Sequence, residues 1–128
     1  MVTVSSNQFI GAMSINKLSL LNNTNNNYES NGAFLKSETN VYSYDDLGNI
    51  FQQIENITDN KLNYSKITSF QYQNLITNIK NWYLNQLLSK KETFIIQYED
   101  GRIESKSISQ VFQYDSGILL LITVNPCL

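Results

Sequence analysis

Ser65-Lys-Ile-Thr-Ser-Phe-Gln-Tyr-Gln-Asn-Leu-Ile-Thr-Asn-Ile-Lys-Asn-Trp-Tyr-Leu-Asn-Gln-Leu-Leu-Ser-Lys90 is the stretch on which the fold class turns. Ile67, Phe70, Leu75, Ile79, Trp82, Tyr83 and Leu87 recur at three- and four-residue spacings, the period of an amphipathic helix, so the pattern predicts a helix over 65–90. At about 1.5 Å per residue it would be about 37 Å long, more than the ~25–30 Å breadth of so small a domain. One end would therefore overhang. Leu84 and Leu88 lie off the main stripe and widen the apolar arc beyond what one sheet needs, which makes them candidates for an interface with a partner subunit.

Upstream, Ser43-Tyr-Asp-Asp resembles a helix start, with a capping hydroxyl and two acids where the helix dipole favours negative charge. Tyr44, Leu47, Phe51 and Ile54 continue it as a one-sided stripe, so a second helix is expected over 43–58, weakened by Gly48. The flanks look extended. Residues 2–21 mix β-branched, aromatic and polar residues, and 33–42 reads as another strand. Between them lies an Asn-rich stretch, 22–32, which ends in Asn31-Gly32 and reads as a loop. Toward the carboxyl end, 92–99 and 102–108 flank Asp100-Gly101 as a hairpin, and the apolar run 117–124 reads as a central strand buried on both faces. The expected architecture is a single α+β domain over 1–128, with an antiparallel or mixed sheet and both helices packed on one of its faces.

Composition removes more functions than it suggests. The chain of 128 residues has 41% hydrophobic and only 16% charged residues, so its polar surface falls largely to Asn, Ser and Gln. It contains no histidine, which excludes Ser/His and Cys/His catalytic units and histidine-ligated metals. A single cysteine, Cys127, excludes an internal disulfide and a thiolate zinc site. The net charge of −2, with Arg102 as sole arginine and Lys90-Lys91 as the one adjacent cationic pair, argues against nucleic acid as a partner. No cofactor is implied, because no two glycines lie close enough to build a phosphate loop. The amino end lacks the basic and apolar regions of a secretory signal, and no apolar run approaches about 18 residues. The expected location is intracellular, or within an assembled particle, with no membrane.

Asp100 followed by Glu104-Ser105-Lys106 resembles the Asp…Glu-x-Lys pattern of restriction-type nucleases, although only three residues intervene between Asp100 and Glu104, where that family has a much longer separation. The resemblance implies a metal-dependent nuclease in which Asp100 and Glu104 hold the cation and Lys106 helps to activate water. A hairpin with one wet and one buried face explains the same residues. If Asp100-Gly101 is a two-residue turn, Gln97 faces Glu104 and Ile95 faces Lys106, opposite an apolar face of Phe94, Ile96, Tyr98 and Ile103. Eight tyrosines suit protein contacts, since each offers a rigid surface with a polar tip. Tyr28, Tyr64 and Tyr72, which lie beside the apolar stripes, join Leu84 and Leu88 as interface candidates. The preferred reading is a non-enzymatic protein-binding or assembly module, a homo-oligomer or the partner of another protein. Its Asn-rich, Arg-poor composition is that of an AT-rich genome and suggests an accessory or structural protein of a virus or mobile element. The alternatives are the nuclease and a small-molecule or nucleotide binder.

Overall fold

A computed structural model describes residues 1–12, 17–76, 82–116 and 118–127, with side chains described outside 10–20, 74–85 and 127. The described chain is entirely β, and the α+β expectation is overturned. Eight strands run β1 (Val2–Ala12), β2 (Lys17–Tyr28), β3 (Phe34–Tyr44), β4 (Ile50–Asp59), β5 (Leu62–Ile76), β6 (Trp82–Tyr98), β7 (Ile103–Asp115) and β8 (Ile118–Cys127). They form one antiparallel sheet in sequence order, so each strand pairs with the next in the chain. Each strand touches only the strands before and after it in the chain. β1 and β8 are open edges.

Neither expected helix forms among the described residues. Of 65–90, residues 65–76 belong to β5 and 82–90 to β6, with 77–81 outside the described residues, and 43–58 covers the end of β3, the turn 45–49 and β4 up to Thr58. The helical period misled because, among the described residues, no layer packs on either face of this sheet. Where one face is dry and the other wet, a strand alternates apolar and polar residues. Here both faces are half-covered, so Ile67 projects to one side and Phe70 to the other, and apolar residues three apart carry no helical information. The acids thought to start a helix build a turn instead. The Asp45 carboxylate accepts from the backbone N–H groups of Leu47 and Asn49 and from the Asn49 amide, and Gly48 takes φ 83°.

Three hairpins share one construction. In Glu29–Ala33, Asp45–Asn49 and Tyr98–Arg102, the first residue's N–H donates to the last residue's carbonyl, while the glycine at the fourth position donates back to the first. Gly32, Gly48 and Gly101 all have φ between 83° and 87°, the left-handed step that closes a type I turn onto a bulge. This geometry corrects the register expected around Asp100-Gly101. Gln97 pairs with Ile103, Ile96 with Glu104 and Phe94 with Lys106, one residue away from the two-residue turn reading. A slip of one exchanges the faces, so Glu104 and Lys106 stand beside Phe94 and Ile96 on one side of the sheet.

The Asn-rich stretch is also reassigned, since Asn22 to Tyr28 belong to β2 and only 29–33 form the turn. Lateral amide bonds hold it in place. Asn22 donates to Gln8, Asn23 donates to Asn7, and Thr3 donates to Asn27, whose side chain is buried. Cross-strand pairs of this kind contribute about 0.2–1 kcal/mol each and replace apolar anchoring. Of the run at 117–124, residues 118–124 likewise belong to the edge strand β8 rather than a central one, and residue 117 lies outside the described residues.

Register sorts the residues of the two faces. On one face, the row Gln8, Asn22, Val41, Ile54, Ile67, Thr93, Ser107 crosses seven strands without a charge, and the row Ser6, Thr24, Thr39, Asn56, Ser65, Ile95, Ser105 runs beside it. The opposite face holds Lys36, Glu38, Glu55, Asp59, Lys66, Lys90, Glu92, Glu104 and Lys106, with Tyr42, Tyr64, Phe70 and Phe94 among them. We call these the neutral and the charged face after these rows, although Lys91, opposite Ser69 and Ser109, projects on the neutral side. No described apolar side chain is buried. The accessible surface is 8996 Å², against about 6,900 Å² for a compact monomer of this mass.

Candidate functional site

The charged face is wired across three strands, β4 to β6. Lys66 of β5 lies 3.4 Å from Glu55 and 3.2 Å from Glu92, and Lys90 lies 3.2 Å from Glu92 on the same strand. Alternation of sign makes the group self-neutralising. Its hydrogen bond to Glu92 holds the Lys66 ammonium above the ordinary lysine range, against the opposing pull of burial. Burial alone would raise Glu92, but the hydrogen bonds from Lys66 and Lys90 outweigh it and hold its carboxyl below the usual range. Lys66 also sits 5.8 Å from the centre of the Phe94 ring. The arrangement leaves little net charge with which to attract an ionic ligand.

Of the hairpin residues that resemble a nuclease motif, Asp100 and Glu104 are each engaged by Arg102 at the turn between β6 and β7. Asp100 is on the turn, where its carboxylate accepts from the Arg102 backbone N–H at 3.0 Å. One Glu104 oxygen lies 3.3 Å from the Arg102 guanidinium, and the other accepts from the Tyr98 hydroxyl at 3.3 Å. The guanidinium in turn stacks 4.1 Å above the Tyr98 ring. Lys106 stands two residues further along β7, exposed and opposite Phe94. Among the described residues, no three acidic or cysteine side chains converge as a metal-holding group.

The tyrosine candidates divide between two regions. Tyr28, at the end of β2, sets its ring edge-on to Phe34 with centroids 6.0 Å apart. Tyr64 and Tyr72 both lie half-buried on β5. Tyr64 pairs with Ile57 and Ile96 on the charged face. Tyr72 stacks with Phe70 at 6.3 Å, and burial, aided by the negative charge of Asp45, pushes its phenol above the usual range. Leu88 is the extra residue of a β-bulge, between Ser89, which pairs with Gln71, and Leu87, which pairs with Tyr72. Leu84 is in β6, and its side chain lies outside the described residues.

The most exposed apolar surface was not among the expected sites. On β8, Ile118, Leu119, Leu120, Leu121, Ile122 and Val124 are 46–69% exposed. Register puts Leu121 on the neutral face opposite Gln113, and Ile122 and Val124 on the charged face opposite Phe112 and Gln110. The strand is therefore apolar on both sides, and its outer edge is unpaired. From Ile118 to Cys127 it has no charged residue, and neither has β1 from Val2 to Ala12. Natural sheets usually blunt such edges with lysines or inward charges. The signal was present in the sequence: the last strand of a run of hairpins ends at an edge, and this one is continuously apolar.

Comparison with protein-family models, with curated proteins and with solved structures finds no match to this chain.

Proposed function

We propose that this chain is a non-enzymatic assembly module that works by protein contacts and associates with copies of itself. One observation carries the reading: among the described residues no apolar side chain is buried, and all of them remain partly in water. Covering a half-exposed Leu or Ile releases about 1 kcal/mol, so β8 alone holds several such increments. The surface beyond that of a compact monomer is about 2,000 Å², which is in the range that stable obligate interfaces bury. The lack of charge on both edges fits the same reading, because charge there would oppose strand addition. An accessory or structural role in a virus or mobile element suits a module of this kind.

Light scattering on the purified chain at micromolar concentration is the test. A mass of two or more chains is expected, with dissociation on dilution. A strict monomer of 14.7 kDa removes the self-association reading.

A further inference from the structure

We infer that the partner on β8 is the β8 strand of a second copy, paired antiparallel across a twofold axis that makes the two sheets one sheet of sixteen strands. The inference rests on the self-association reading above and specifies its interface.

Three observations select this occupant. First, an added strand must match β8 on both of its sides, because Leu121 projects from the neutral face and Ile122 and Val124 from the charged one. A second β8 does so, setting aliphatic side chains beside aliphatic side chains. The other open edge does not. β1 carries Ser5, Ser6, Asn7 and Gln8 along its middle, and a head-to-tail β1–β8 contact would place them against leucines. Second, like charges, which would forbid a strand from pairing with its own copy, are absent from β8. Third, an antiparallel pair is self-complementary, as the interface of a twofold dimer must be. Pro126, near the carboxyl end, offers no N–H and bounds the paired segment on that side.

The geometry makes a sharp demand. A twofold axis perpendicular to the sheet keeps each face on its own side. Beyond the bulge that skips Leu120, any residue of β8 then lies opposite one of the same parity, so one residue there must lie opposite its own copy. Cα atoms of such a pair are about 4.5 or 5.5 Å apart, within reach of a disulfide. Two neutral faces would also lie together on one side of the joined sheet, and two charged faces on the other.

The test is a cysteine scan of the full chain. In a Cys127→Ser background, single cysteines replace residues 119 to 125 one at a time, with Val4→Cys on β1 as the comparison, and each protein is oxidised at the concentration used for light scattering. One β8 position should give nearly complete disulfide-linked dimer, with a steep fall on either side, while Val4→Cys stays largely uncrosslinked. In parallel, Leu121→Lys should weaken association at least tenfold and Val4→Lys should leave it unchanged, with circular dichroism confirming sheet content in both. If the chain is oligomeric but no β8 position crosslinks, or Val4→Cys does so instead, the β8 pairing is wrong while self-association stands. A monomeric chain that crosslinks nowhere removes both.

Discussion

Gly101 turns the β6–β7 hairpin at φ 83°, and a Cβ built there would meet open space. A substitution is therefore opposed by backbone strain alone. Gly101→Ala should cost about 1 kcal/mol, read as a lower midpoint in urea, and Gly101→Asn should recover part of it because Asn tolerates the left-handed region. Titration provides a second test at single residues. The backbone N–H groups of Lys61 and Leu62 hold the Asp59 carboxyl below its ordinary range. At Asp45, hydrogen bonds from Asn49, Leu47 and Gly48 overcome the upward pull of burial to the same net effect. Glu92 is lowered as well. A carboxyl with a depressed folded pKa stabilises the fold above its unfolded value, and that contribution is lost as pH falls through the folded one. The melting temperature should thus hold from neutral pH down to about 5 and drop below about 4. Asp59→Asn, which keeps the accepting oxygen without the titration, should flatten that drop. Lys66 is shifted up, so its contribution is present below about 10.4 and disappears only as the solution becomes more alkaline than its folded pKa.

Among elements, β4 and β5 form the middle of the neutral face, where Val41, Ile54 and Ile67 stand side by side across three strands. All three are only half-buried, so Ile67→Ala should destabilise by about 1–2 kcal/mol, below the 2–5 typical of a closed core. Denaturant melts of that variant, compared with Ile103→Ala at an exposed strand end, would measure the difference. The turns at Asn31-Gly32 and Asp100-Gly101 were legible because only a few residues close a hairpin, and with them the strand after the first and the segments 92–99 and 102–108 beside the second. What stayed hidden was everything that needs a second layer to be written in sequence. Tyr44, Leu47, Phe51 and Ile54 mimic a helical stripe because nothing dry lies behind β4 to demand alternation. The asparagines of β2 look like a loop because their anchoring is lateral, from amide to amide, and leaves no hydrophobic trace. The register around Asp100 was off by one for a smaller reason: three residues, Glu99 to Gly101, make the turn where two were assumed. The same shift puts Glu104 within reach of both Arg102 and Tyr98. Of the interface candidates, β8 was missed because a continuous apolar run is ordinarily the mark of an interior strand.

Across the whole sheet, no two strands that are not consecutive in the chain are in contact among the described residues. Hydrogen exchange should follow this order. Amides of β5 and β6, flanked on both sides, should exchange slowest, and those of β1 fastest. β8 should resemble β1 in dilute solution and become protected as concentration rises, since a second chain would cover its outer edge. Equal exchange at the two ends at all concentrations would contradict the proposed interface. Because the strands lie in chain order, the sheet behaves as a one-dimensional array whose stability is a sum of neighbour couplings. Such an array can begin at any hairpin and grow outward by zippering, with no distant loop to close first, so it should fold fast for an all-β protein. It should also come apart by fraying from its two ends, and a chain shortened by its first strand would keep the remaining seven in place, with β2 exposed as the new margin.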